Sequence, residues 1–223
     1  MNQNVDSNLV ESSHRKDRTS DFNLATHGFW VAVVATILII FSAITASTAI
    51  KIPSLVSGIL LVPAFVMLMA CVHEYSPAGK KSFSRLGLLF SLGYAVLIGF
   101  NYYMQLTLVT KGLYADVFAM DDSKSIMWVI EALGYGFMGL STLFASWSFG
   151  RNRLEQAIRW LFIVNGVLGI GGIIGLAIGL NMRILYGGLI AWDVVMPAAS
   201  VLLAIMFRIA QHKMASNTSR VSV

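Results

Sequence analysis

Apolar positions in this chain come in long runs, not in the alternation of a half-buried strand or the narrow stripe of a soluble helix. Six runs predict helices over Phe29 to Ile50, Ile52 to Val72, Ser84 to Thr110, Lys124 to Phe149, Ala157 to Leu180 and Arg183 to Arg208. Each reaches the about 20 residues needed to cross a hydrocarbon core roughly 30 Å thick. The connection between the first two is only about Lys51 and Pro53, the proline being accepted in the first turn of the second helix, so they are expected to form an antiparallel hairpin. An even number of spans puts both chain ends on one side. The expected fold is all-α: a polytopic membrane protein with a six-transmembrane-helix bundle.

The polar positions inside those runs fall on faces. In the third span Ser91, Tyr94, Asn101 and Gln105 share one side of a helix, whereas Leu88, Leu89, Leu92 and Val96 fall elsewhere. The fourth span repeats the pattern with Trp128, Glu131, Tyr135, Met138 and Thr142; the fifth offers Asn165; the sixth has Tyr186, Asp193 and Ser200 spaced by seven. An amide without partners in hydrocarbon costs several kcal/mol, so these faces should meet protein, ligand or water. If the stripes oppose one another, Asn101, Gln105, Glu131, Tyr135, Asn165 and Asp193 line a polar pocket in the outer half and centre of the bundle. These are the candidate ligand- or proton-binding residues.

No Lys, Arg or His lies at that depth, so the two acids lack a buried cationic partner. Desolvation opposes their charged forms unless a cation, water, or donors from Tyr and Asn compensate. Proton exchange, binding of a cationic or polyhydroxy ligand, and general acid catalysis on a lipid-like substrate all fit. The plain alternative is that the amides join helices and that Glu131 reaches the interface.

Small residues mark a second feature. Gly171, Gly175 and Gly179 recur every four residues in the fifth span, with Gly172 beside them, which predicts close helix packing inside the bundle or between copies in a homo-oligomer. The run has no GxGxxG or GxxxxGK[ST] pattern and no preceding strand, so it is not a nucleotide loop.

Composition agrees: 57% of residues are hydrophobic and only 12% charged, against about 25% charged in an ordinary soluble domain. The basic residues mark an orientation. Arg15, Lys16 and Arg18, then Lys80, Lys81 and Arg85, then Arg151, Arg153 and Arg159, then Arg208, Lys213 and Arg220 all fall on one side, leaving Lys51, Lys111, Lys124 and Arg183 on the other. Both termini are therefore expected in the cytoplasm. Residues 1–28 and 210–223 read as flexible tails around a transmembrane domain at 29–209. The net charge of +5 sits at span ends and suits anionic lipid headgroups at the cytoplasmic face, not nucleic acid.

The longest outer loop, "KGLYADVFAMDDSKS", carries Asp116, Asp121 and Asp122 with Leu113, Tyr114, Val117 and Phe118, a composition suited to a lid or to an interfacial loop. The single cysteine, Cys71, excludes an internal disulfide. His27, His73 and His212 at the cytoplasmic border lack the spacing of a metal or haem site, so no metal and no cofactor is expected. No GxSxG elbow is present.

The stretches "NYYMQLTLV", "WVIEALGYGFMGLSTLFA" and "LEQAIRWLFIVNGVLG" resemble those of small, uncharacterised six-span prokaryotic integral membrane proteins. The resemblance implies a six-helix bundle in the prokaryotic plasma membrane and brings no catalytic residues with it. The expected role is binding or transport of a small molecule, lipid or proton. The alternatives are an intramembrane enzyme acting on a lipid or isoprenoid through Glu131 and Asp193, and a non-catalytic accessory or assembly protein.

Overall fold

The computed structural model describes the backbone of residues 3–46, 51–118 and 125–221; the side chains of 3–22, 116, 182, 183, 185, 186, 189 and 217–221 lie outside that description. The helices are α1 (Gln3–Ala46), α2 (Ile52–Tyr75), α3 (Lys81–Thr107), α4 (Ala115–Phe118), α5 (Ile126–Ala145), α6 (Arg153–Ala177) and α7 (Met182–Val221). Among the described residues six segments are long and apolar enough to cross a membrane: Asn23–Ala46, Ile52–Tyr75, Ala78–Lys111, Ile126–Ser148, Arg153–Ala177 and Ile190–Ser216. These are the six spans that the apolar runs predict. The chain is all-α and has the make-up of a multi-pass membrane protein. As backbone, α1 and α7 continue into the polar terminal segments.

Neighbours along the chain are neighbours in space. α1 packs on α2, α2 on α3, α3 on α5, α5 on α6, α6 on α7, and α7 returns to α1, closing a ring of six. Its polarity is that of a protein in lipid: Val96 is 70% and Val194 67% exposed, whereas Ser91, Asn101 and Ser141 are fully buried. Phe65, Leu68, Met138, Phe162, Leu203 and Phe207 fill the interior between these polar groups.

Local chemistry sets the helix ends. α2 starts with proline in its first turn, as the hairpin reading expects, and Ser54 Oγ lies 3.3 Å from Ser42 Oγ across the α1–α2 pair. Ser125 caps α5 by accepting from the Met127 N–H, and Asn152 caps α6 by accepting from the Glu155 N–H. Gly112, at φ 72°, ends the turn that follows α3. The connection at 47–50 lies outside the described residues, as do Asp121, Asp122 and Lys124 of the connection between α4 and α5.

Close packing between α5 and α6 falls at Gly166 and Gly169, just before the predicted glycine ladder. A Cβ on Gly139 would stand 3.0 Å from the Gly169 Cα and 3.2 Å from the Gly166 carbonyl, so the two backbones touch through Gly139, Gly166 and Gly169. Around Gly171 and Gly172 there is open space, while Gly175 is buried. Gly179 has a different task. At φ 71° it takes the left-handed position after α6, where the Leu180 N–H bonds the Gly175 carbonyl at 2.8 Å and the Gly179 N–H bonds Leu176 at 3.1 Å. That pattern is a Schellman termination, whose left-handed position favours a residue without a Cβ. The i, i+4 spacing of the three glycines thus combines a cavity wall, a buried contact and a helix stop.

Candidate functional site

The polar stripe of α3 is buried as a set: Ser91, Tyr94, Asn101 and Gln105 all face inward, while Leu89, Leu92 and Val96 face outward. Across from it, α5 buries Glu131. Asn101 Nδ2 donates to Glu131 Oε2, and Tyr102 OH donates to Oε1 at 3.0 Å. The Tyr102 hydroxyl lies a further 3.1 Å from the hydroxyl of Tyr135. Glu131, 6% exposed, is thereby held by two donors from consecutive residues of α3, with a third hydroxyl behind them.

Tyr102 reaches this place because α2 gives way. Its ring occupies the space that a Cβ on Gly58 would take. Tyr94 lies below, edge-on to Phe65 at 5.2 Å and tilted against Tyr135 at 6.2 Å. Tyr135 in turn meets Trp192 of α7 edge to face, with ring centroids 4.9 Å apart.

Glu131 and Tyr135 open onto a cavity of about 410 Å3 between α5, α6 and α7. Trp128 and Ala132 complete its α5 side, Val167 to Leu180 form the α6 side around Gly171 and Gly172, and Ile184, Gly188 and Trp192 close it from α7. The wall is apolar apart from the acid, the phenol and the two indoles. Its described lining residues include no Lys, Arg or His.

The other predicted residues go elsewhere. Gln105 Nε2 donates to the Phe118 carbonyl and Ser125 Oγ to the Val117 carbonyl at 3.0 Å, which ties α4 down on the C-terminal end of α3 and the N-terminal end of α5. Leu113, Tyr114 and Val117 remain exposed there, and the Asp116 side chain is outside the described set. Asn165 Nδ2 donates to Thr142 Oγ1 at 2.9 Å, about three turns or roughly 16 Å along α5 from Glu131 at 1.5 Å per residue. It joins α6 to α5 beside the glycine crossing, and its Oδ1 has no partner among the described residues.

Asp193 is half-buried on α7, is not among the described residues lining the cavity, and makes no side-chain hydrogen bond with a described residue, but its carboxyl lies within electrostatic range of Tyr135. Its neighbour Trp192 takes that place. Tyr186, the third member of the α7 stripe, lies outside the described side chains. Comparisons with family models, curated proteins and solved structures return no match for this chain.

Two residues of the site escape a periodicity argument. Tyr102 and Trp192 each sit one position from a residue that the polar stripe selects, Asn101 and Asp193, and so about 100° away around the helix at 3.6 residues per turn. For Tyr102 a signal existed: a buried carboxylate accepts several donors, and "NYY" supplies two phenols beside the amide. Among the described residues no group of three or more His, Cys, Asp or Glu is placed to hold a metal ion.

Proposed function

We propose that the protein binds a lipid-like or other largely apolar small molecule in the α5–α6–α7 cavity, with the polar end of the molecule at Glu131 and Tyr135. The observation behind this reading is the wall itself: apolar on every helix and interrupted by one buried, hydrogen-bonded acid. A carboxyl needed only to join α3 to α5 would have no reason to border a cavity. The volume lies near the lower end of the range for small-molecule sites, about 300–1,000 Å3, which suits one chain more than two. Acid–base catalysis by two carboxyls would need Asp193 on the same wall, where Trp192 stands instead.

The reading is tested by purifying the wild type and Glu131→Gln in native-like lipid and comparing the molecules each retains by mass spectrometry. Loss of one species in the variant supports it. Identical retention removes it.

We further place the protein in a prokaryotic plasma membrane with both termini cytoplasmic. The support is the Lys and Arg distribution, together with the sharing of one end of the bundle by the α2–α3 and α5–α6 connections, joined by the 2.7 Å bond from Ser76 Oγ to Ser148 Oγ. In a Cys71→Ala background, Ser216→Cys should resist a membrane-impermeant maleimide in intact cells and react after lysis. Labelling of intact cells would reverse the topology.

A further inference from the structure

The site has a hydrogen-bond direction, and that direction selects a ligand. A phenol carries one proton. For an ionised Glu131, Tyr102 gives its proton to Oε1, and of the two hydroxyls that could donate in the 3.1 Å contact between phenols it is then Tyr135 that donates. Asn101 fills Oε2 from the other side, and its amide can only donate through Nδ2. With Glu131 ionised, every proton in the chain Tyr135, Tyr102, Glu131 therefore points away from the cavity. Tyr135 is the member of the phenol pair that lines the cavity, and Tyr102 is its only hydrogen-bonded partner among the described residues. Its oxygen is left as an acceptor with its own proton already committed.

We infer that the cavity takes a single-chain amphiphile whose polar end is a hydrogen-bond donor, a hydroxyl or an ammonium, and disfavours chains ending in a carboxylate or in an acceptor alone. This rests on the cavity-binding reading above. A donor head completes the lone pairs of Tyr135 and sits beside an acid with no cation among the described lining residues. A carboxylate head would meet Glu131 with like charge in a medium that screens little. An ether or ketone would place a lone pair against a lone pair. Along α6 the open space at Gly171 and Gly172 gives the chain its room.

The probes are dodecanol, dodecylamine, dodecyl methyl ether and dodecanoic acid, measured as binding to the full-length protein in nanodiscs above partition into empty nanodiscs. The alcohol or the amine, or both, should bind about tenfold tighter than the ether, the worth of one hydrogen bond, and the acid should bind most weakly. The two donor arms show whether hydroxyl or ammonium is the better head. Tyr102→Phe keeps the ring but removes the acceptor for the Tyr135 proton, so that proton turns to the cavity and the ether should gain on the alcohol. Tyr135→Phe should erase the preference while the ether still binds.

Equal binding of all four chains, or a preference for the ether in the wild type, overturns the donor rule while the cavity-binding reading stands. Binding of none of them above the lipid background overturns both. If Tyr102→Phe does not fold, the head-group order in wild type and Tyr135→Phe decides alone.

Discussion

Asn101 and Glu131, 30 residues apart in sequence and on different helices, are hydrogen-bonded to each other in the buried interior of the bundle. Neither would be stable there alone. A carboxyl surrounded by apolar side chains loses its hydration, and an amide with an empty donor carries a smaller cost of the same kind. Together with Tyr102 they make the polar seam of the α3–α5 contact, and the cavity begins on the far side of that seam.

Replacing Asn101 with Leu leaves one oxygen of Glu131 without its donor. The expected cost is about 1–3 kcal/mol, the penalty for a buried acceptor that has lost its partner. Thermal unfolding of the purified variant checks this. Glu131→Gln with Asn101→Leu should cost less than the sum of the two single changes, because the groups share one bond. Full additivity would show that the pair is not coupled.

The two faces of α3 were legible because burial in lipid follows helical period as strictly as burial in water does. Ser91, Tyr94, Asn101 and Gln105 carry one side of the helix into the ring, and the prediction of that side needs nothing except spacing. The assembly of the site was less legible. Period alone treats a stripe as a line of equal members, whereas Gln105 turns to a loop carbonyl, Asn165 to Thr142, and only Asn101 to the acid. Which member meets which helix depends on crossing points, and those are set by glycines. The crossing of α5 and α6 at Gly139, Gly166 and Gly169 requires three glycines on two helices, a coincidence invisible in a one-helix motif.

That crossing separates two kinds of glycine. Gly139→Leu drives a side chain into the α6 backbone, at positions where even a Cβ stands 3.0 Å from a Cα, and should lower stability by about 1–3 kcal/mol or block folding. A Cβ on Gly171 meets nothing within 4 Å, so Gly171→Leu has room to leave the backbone and should fold as the wild type does. Its side chain enters the cavity, so ligand retention should fall without loss of the folded monomer. Size-exclusion profiles and bound-ligand content distinguish the two outcomes. A Gly171→Leu protein that aggregates would instead show that another copy covers this face.

Gly58 acts through Tyr102. A side chain at Gly58 pushes the ring off α2 and pulls its hydroxyl from Glu131, so Gly58→Val should destabilise the wild type. In a Tyr102→Ala background the space is free, and the same substitution should be nearly neutral. The double-mutant cycle should return a coupling of about 0.5–3 kcal/mol. Equal effects in both backgrounds would mean that the glycine serves the α2 backbone and not the phenol.

Glu155 organises the opposite end of the bundle. It is 1% exposed, and Oε2 accepts the backbone N–H groups of Gly150 at 3.1 Å and Arg151 at 2.8 Å. Oε1 accepts Tyr75 OH at 3.0 Å and Arg151 Nε at 3.1 Å, while the Arg151 guanidinium covers the Tyr75 ring at 4.7 Å. Tyr75 also stands edge-on to Phe207 at 5.9 Å, so one carboxylate links the start of α6 to α2 and, through the ring, to α7. Tyr75→Phe removes a single bond to a carboxylate and should cost about 1.5–3 kcal/mol. Glu155→Gln should cost more, because the amide offers one oxygen where five donors converge, Asn152 Nδ2 at 3.4 Å among them, and turns its own N–H groups toward some of the others. Arg151→Ala should cost least, since the guanidinium is half exposed and the backbone donors remain. Thermal unfolding in one detergent ranks the three variants. A Glu155→Gln protein no less stable than Tyr75→Phe would show that the carboxylate contributes only the tyrosine bond, and that the α5–α6 connection holds its shape without it.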